Sequence, residues 1–264
     1  MSLNKLVLKL LSQSYLNPSL LARFKRQWAK KHGYMPRNSQ ILSAYKKLVK
    51  SKKINVKKSL ENVLRLKKVR SLSGIVPVAV MTKPYACPGK CVYCPTQKNI
   101  PKSYLDDEPA VMRAQMVDFD PYLQTKRRLN QLKIIGHSIE KIELIVMGGT
   151  FSVLPKSYQI DFIAKCFQAA NEFQKKIKRT ITPKTIRTIT TLEQLQHVNE
   201  TAKNRIVGIT LETRPDQITQ KEIKWMRKLG ATRVEIGVQT TYDSVLKKVK
   251  RGHGVKETIK ATKL

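Results

Sequence analysis

The stretch "IVPVAVMTKPYACPGKCVYCPTQ", residues 75–97, sets three cysteines within eight positions directly after a run of Val, Ile and Ala. Its first part, 75–82, has the continuous apolar character of a short strand buried on both faces. Its second part spaces Cys87, Cys91 and Cys94 as C-x3-C-x2-C, with Pro88 and Gly89 holding the loop open and Tyr93 just before the last thiol. Clustered thiolates select zinc or iron–sulfur clusters. A structural zinc site usually takes four ligands in two separated pairs, and no second pair or neighbouring His stands here. His137 and Cys166, the remaining cysteine, fall in other predicted elements. Three donors on one loop suit a cuboidal [4Fe–4S] cluster that keeps one iron without a protein ligand. Zinc, and thiols that hold no metal, are the competing readings.

Working outward, three further runs rich in Val, Ile and Leu read as strands: "KIELIVMGGT" (141–150), "RIVGITLET" (205–213) and "TRVEIGVQT" (232–240). Between them the 3.6-residue period predicts helices over 120–135, 156–176, 192–204 and 217–229. Strand then helix, repeated, implies a parallel sheet wrapped by helices, as in a (βα) barrel. The cysteine loop then leaves the C-terminal end of the first strand, where such barrels build their sites. An iron without a protein ligand at that place can chelate the amino and carboxylate groups of S-adenosylmethionine. One electron from the cluster then cleaves the sulfonium to a 5′-deoxyadenosyl radical. The sequence stops at Leu264 within a helical pattern, after breaks at Gly252 and Gly254, so the barrel is expected to be truncated. The basic, Thr-rich stretch 175–191 reads as a loop.

Residues 1–73 have a different texture. They carry nineteen Lys or Arg and a single acid, Glu61, and so hold +18 of the formal net charge of +34. Helical spacing is expected over 3–15, 18–31, 38–50 and 59–70, with Asn17, Asn38 and Ser59 as N-caps and Gly33 and Pro36 as breaks. A small basic helical region precedes the sheet, giving regions 1–73 and 74–264. Such an excess of cations points to a phosphate-rich partner, since neutralising phosphates releases counterions. The bland alternative is a solvated lysine-rich surface. In "RQWAKKHGYMPR" (26–37), Trp28 and Tyr34 among cations suit base stacking or a phosphate grip, or else a place in the core. No run approaches the roughly 18 apolar residues that span a bilayer, so no membrane partner is expected. Four cysteines, three of them clustered, do not make a secreted disulfide framework, which places the protein in a reducing cytoplasm.

With the flanking residues, the sequence resembles the radical S-adenosylmethionine superfamily and, within it, the Elongator catalytic subunit family of transfer-RNA wobble-uridine modifying enzymes. The blocks that carry the resemblance are "SGIVPVAVMTKPYACPGKCVYCP", "DEPAVMRAQMVDFDPYLQTKRRLNQLKIIGHSIEKIELIVMGGTF", "GITLETRPD" and "TRVEIGVQTTYDSVLKKVKRGH". The last is also similar to a block of oxygen-independent coproporphyrinogen oxidases and methylthiotransferases. The resemblance implies a partial radical-SAM barrel, with Cys87, Cys91 and Cys94 holding the cluster.

It also implies roles for other positions. Tyr93 packs near the adenine, and Gly148 and Gly149 let backbone carbonyls approach the ammonium of the methionine moiety. Glu212, Glu235 and Gln239 hold ribose hydroxyls, the last two alternating on one face of the fourth strand. The two carboxylates can instead pair with Arg214 or Arg233 as structural ions. Arg251 reaches the cofactor carboxylate, and Lys141 serves acetyl-coenzyme A, the co-substrate. Cys166, on an apolar helical face, reads as an inert core thiol.

The implied reaction starts with hydrogen abstraction from the acetyl group of acetyl-coenzyme A by the deoxyadenosyl radical. Addition to C5 of the wobble uridine and hydrolysis then yield carboxymethyluridine in the transfer-RNA anticodon. The family's further acetyltransferase-type domain has no counterpart here, so a separate chain is one expected source of it. A catalytically incomplete transfer-RNA-binding fragment and a coproporphyrinogen-oxidase type of radical enzyme are the alternatives.

Overall fold

The computed structural model describes residues 3–173 and 191–264; most of the Thr-rich stretch 175–191 lies outside the described residues. Two compact units divide the chain. The first comprises residues 1–76 and 129–139, the second 77–128 and 140–264.

The first unit is helical: α1 (Asn4–Leu11), α2 (Pro18–His32), α3 (Asn38–Lys50) and α4 (Lys58–Leu64). Its core collects the apolar stripe of each helix, including Leu10, Ile41, Tyr45, Leu60 and Leu64, all essentially inaccessible to water. Each such side chain contributes about 1.5–3 kcal/mol on burial. Tyr45 keeps its hydroxyl satisfied there by accepting from the Lys57 backbone N–H at 2.7 Å. Asn17 caps α2 as expected, accepting from the Leu20 N–H at 2.8 Å, and Gly33 ends the helix at φ +75°.

Two expected caps differ. Asn38 lies inside α3 behind Arg37 and accepts from Lys25, while Ser59 lies inside α4 behind Lys57. The fourth helix also ends at Leu64 rather than Arg70. Arg65 takes an extended ψ of 127° and Lys67 a positive φ, and a 3-10 turn at 68–71 follows. Trp28 is buried, with Tyr34 edge-on at 6.4 Å, so its ring belongs to the core and is closed to a base.

The stretch 129–139 joins this unit although the strand–helix pattern of the sequence continues through it. Leu129 and Leu132 are fully buried, Arg65 donates to the Gly136 carbonyl at 3.0 Å, and Ser71 bonds the His137 ring at 2.6 Å.

The second unit holds a four-stranded sheet in the order β1 (Val76–Met81), β2 (Lys141–Met147), β3 (Arg205–Thr213), β4 (Arg233–Ile236). β2 pairs parallel with β3, and β3 with β4. Helices α5 (Pro109–Gln115), α6 (Pro121–Ile134), α7 (Lys156–Glu172), α8 (Leu192–Thr201) and α9 (Gln220–Lys228) fill the connections, and α10 (Asp243–Lys248) and α11 (Val255–Lys263) follow β4.

Sequential parallel strands joined by helices are the repeating unit of a (βα) barrel, here with the sheet open. Ile142, Leu144 and Val146 of β2 and Ile209 and Leu211 of β3 are buried at alternate positions against the helices. Gln124 of α6 fastens β1 by accepting from the Met81 N–H at 2.8 Å and donating to its carbonyl at 2.9 Å. The fourth strand stops at Ile236, four residues before the sequence pattern does. Gly237 N–H still reaches the Thr213 carbonyl, but Val238 N–H bonds back to Ile236 and the chain turns off the sheet. Among the described residues no helix is long and apolar enough to cross a membrane.

Candidate active site

A cavity of about 340 Å³ opens at the C-terminal ends of these strands. Its wall is built by the loop after β1, the glycine turn after β2, the ends of β3 and β4, and Arg251. Cys87, Cys91 and Cys94 all face it. The Cys87 sulfur receives the Gly89 N–H at 3.4 Å and lies 3.6 Å from the Thr150 hydroxyl; the Cys94 sulfur lies 2.7 Å from that of Ser103. Cys91 is buried, with Arg251 Nη1 at 3.4 Å and Arg214 Nη1 at 3.9 Å from its sulfur.

Burial by itself pushes the Cys91 thiol up. Hydrogen bonds from Arg251 and Tyr93, with the charges of both guanidiniums, outweigh it and hold the thiol below its ordinary value. Among the described residues no three His, Cys, Asp or Glu side chains converge on one point as a single metal ion requires. Three thiols of one loop, all lining one cavity, are a donor set that suits a cuboidal iron–sulfur cluster.

Arg214 and Arg251 are both nearly inaccessible to water. Arg214 grips Asp216 through Nε (2.9 Å) and Nη2 (3.1 Å) and donates to the Arg251 carbonyl at 2.8 Å. Although burial pushes the Asp216 carboxyl up, that pairing prevails and holds it below the usual carboxylate range. Arg251 donates to the Gly237 carbonyl and, at 3.0 Å, to His253 Nε2. His253 therefore presents an unprotonated Nε2, in keeping with a pKa lowered first by burial and further by Arg251. Arg251 lines the cavity as expected for a cofactor contact, yet its donors are engaged by protein groups.

Glu212, at the end of β3, accepts from the Tyr104 hydroxyl at 2.7 Å and lies near the backbone N–H groups of Gly148 and Gly149, which favour its charged form. Burial foremost raises its pKa, and Glu235 adds to the rise. Tyr104 is raised in turn by burial and by the Glu212 charge. Gly148 stands at φ +131°, where a Cβ would come within 2.0 Å of the Thr82 hydroxyl, so no side chain fits. The alternative ion pairs are made elsewhere: Arg214 pairs with Asp216 and Arg233 with Glu143.

Of the expected residues, the three cysteines, Gly149, Glu212, Glu235, Gln239 and Arg251 line the cavity. Gln239 does so from a turn at φ +70° beyond the end of β4, which corrects the expected strand alternation with Glu235. Tyr93 is half exposed and touches the site through Cys91. Lys141 begins β2, at the opposite end of the strand, and lines a separate cleft with Arg205 and Arg227. Cys166 is sealed in the core, and burial pushes its thiol up to about 12. Sequence reasoning missed Tyr104, Ser103 and Thr150, and it treated Arg214 only as a possible counter-ion of the cavity carboxylates. The run "ETRPD" in 212–216 was the available signal for Arg214, whereas Ser103 and Tyr104 sit in a loop with no periodicity.

Parallel βα units with three thiols of one loop around a cavity at the strand ends define a radical S-adenosylmethionine domain. Residues 81–264 match the Radical SAM superfamily, and the chain belongs to it. Within it, the chain is 48% identical over 235 residues to the tRNA uridine(34) acetyltransferase of Methanocaldococcus infernus, covering 87% of this chain and 40% of that protein. It is 41% identical over 211 residues to Elongator complex protein 3 of Saccharomyces cerevisiae, covering 76% and 35% respectively. A solved structure, the archaeal Methanocaldococcus infernus Elp3 with an N-terminal deletion, superposes with a TM-score of 0.53 at 43% identity, over 71% of this chain and 34% of that one. The chain thus spans about two fifths of the length of such relatives.

Proposed function

We propose that this chain carries the radical step of wobble-uridine modification in transfer RNA, building the carboxymethyl group on C5 of uridine 34 from acetyl-coenzyme A. The observation that carries the reading is the cavity itself: three thiols of one loop, two buried guanidiniums at the middle thiol, and two carboxylates across from them. The names of its relatives supply the substrate.

Cys87, Cys91 and Cys94 hold a [4Fe–4S] cluster. With S-adenosylmethionine bound, such a cluster would supply the electron for sulfonium cleavage and so the radical chemistry that acts on the acetyl group. The chain's own residues bind and orient. Glu235 and Gln239 would offer acceptors to ribose hydroxyls, and Glu212 stands beside the glycine turn whose carbonyls would be open to the methionine ammonium. Lys141 opens a separate cleft with Arg205 and Arg227 at the other end of β2 and takes no part in this cavity. The basic helical unit holds the anticodon arm by its phosphates. A cytoplasmic location, where thiols stay reduced and a cellular electron donor is at hand, suits this chemistry.

The test is anaerobic reconstitution with iron and sulfide, reduction, and addition of S-adenosylmethionine. Release of 5′-deoxyadenosine is expected, with transfer RNA bound in a salt-dependent way. Stoichiometric zinc without iron, in colourless protein, overturns the reading.

A further inference from the structure

Arg214 makes contacts that neither sheet geometry nor ion pairing requires. It is 4% exposed, and its guanidinium is fixed on one side by both oxygens of Asp216. Its other side faces the cysteine loop. A Cβ built on Gly89, between Cys87 and Cys91, would lie 2.0 Å from Arg214 Nη1 and 3.1 Å from its Cζ. Gly89 has no positive φ, so the backbone there is open to a side chain, and it is the Arg214 guanidinium, held by Asp216, that would have to move to admit one. From the same position Arg214 reaches the Cys91 sulfur and the Arg251 carbonyl. A Cβ on Gly252 would also touch it, at 3.4 Å.

One side chain therefore packs against two loops that are far apart in sequence, the cysteine loop and the 250–254 turn. Both meet again where the Val92 N–H donates to the Val249 carbonyl at 3.1 Å. Asp216 pairs with Arg214, and among the described residues Arg251 has no carboxylate at ion-pair distance. One buried positive charge is thus left facing Cys91.

We propose that Arg214 is a positioning residue: braced by Asp216, it pins the cysteine loop through Gly89 and, with Arg251, sets the electrostatic environment of the iron bound by Cys91. This rests on the cluster reading above. Cysteine sulfurs that receive hydrogen bonds from cations stabilise the more negative, reduced cluster, so the pair of guanidiniums raises its potential. The pin also explains why the loop has glycine where any other residue would fit the backbone.

The experiment compares wild type, Arg214→Met, Arg214→Lys, Gly89→Ala and the double variant Gly89→Ala/Arg214→Met, each reconstituted anaerobically. Three quantities are read: iron per chain, the rate of iron release to a chelator, and the reduction potential followed by electron paramagnetic resonance. Melting of the iron-free chains checks that each variant folds. Arg214→Met is expected to release iron about tenfold faster and to shift the potential downward. Arg214→Lys keeps the charge without the fork, so its potential stays nearer wild type while its iron is still lost faster. Gly89→Ala alone displaces the guanidinium and shifts both quantities in the direction of Arg214→Met. In the double variant the alanine adds nothing further, because the atom it strikes is gone.

Gly89→Ala indistinguishable from wild type, or a potential unmoved by Arg214→Met in protein that still holds iron, overturns the proposal and leaves the cluster reading standing. Wild-type protein that takes up no iron takes down both.

Discussion

The two units use positive charge in opposite ways. In the helical unit the cations lie outside an apolar core: Arg23, Lys30, Lys31, Lys46, Lys47 and Lys50 are all exposed, and the core cluster is built of Leu, Ile, Val, Trp and Tyr. In the sheet unit Arg214 and Arg251 are buried, each with named partners at hydrogen-bonding distance. Exposed cations act as a sum, screened by salt and indifferent to which one is removed. Buried ones act singly, because removing either leaves a desolvated partner. Substitutions should therefore have effects of very different size in the two units.

The largest effect is expected at the thiols. Cys91→Ser removes the buried donor that faces both guanidiniums and should abolish stable iron binding, read as loss of iron, acid-labile sulfide and visible absorbance. Cys166→Ala, in the same unit and equally buried, should keep all three, because that thiol touches only core groups. Loss of iron in Cys166→Ala would break the distinction between placed and merely buried thiols. Next in size is Gly148→Ala. Strain at φ +131° together with collision against Thr82 should cost about 2–3 kcal/mol, measured by urea unfolding of the iron-free chain.

A smaller effect is expected from the carboxyl beside that turn. Burial raises the folded-state pKa of Glu212 above its unfolded value of about 4.3. Its contribution to stability is thus fully present below that value and is lost as pH rises through the folded pKa. Glu212→Gln carries no such titration. Unfolding measured from about pH 4 to pH 7 should show wild type losing stability relative to Glu212→Gln as pH increases. A difference between the two that stays flat would mean that Glu212 keeps an ordinary pKa in the fold. Tyr104→Phe removes one hydrogen bond to that carboxylate and should cost about 1.5 kcal/mol when Glu212 is ionised, and less at low pH.

How far each unit could be read in advance follows from the separation of the groups involved. β2 and β3 were legible because a strand buried against helices leaves an apolar run in the sequence. The three thiols were legible because they share one loop. Tyr104 and Glu212 are 108 residues apart, and Arg214 and Cys91 are 123 apart, so only the folding of the sheet unit brings either pair together. The end of β4 was misread for a different reason. Gly237 and Val238 continue the apolar texture of a strand, yet local bonds back to Ile236 turn the chain. Asn38 and Ser59 show that a capping residue type does not by itself place a cap, since Arg37 and Lys57 stand at the two boundaries instead.

The smallest effect belongs to single cations of the helical unit. Lys31→Gln and Lys50→Gln change exposed residues that take no part in the core, so melting of the chain should not move. If the unit binds transfer RNA as proposed, their contribution should appear as slope: each cation withdrawn from a phosphate lowers the dependence of log K on log salt by about 0.7–0.9. Removing several such exposed cations should lower the slope in proportion, because neither Lys31 nor Lys50 is held by a side-chain bond among the described residues. If Lys50→Gln alone abolished binding at every salt concentration, the helical unit would contain a placed charge of the kind found beside Cys91. A slope that falls evenly, substitution by substitution, means instead that this unit attracts RNA by its total charge, leaving selection of the base to the sheet unit.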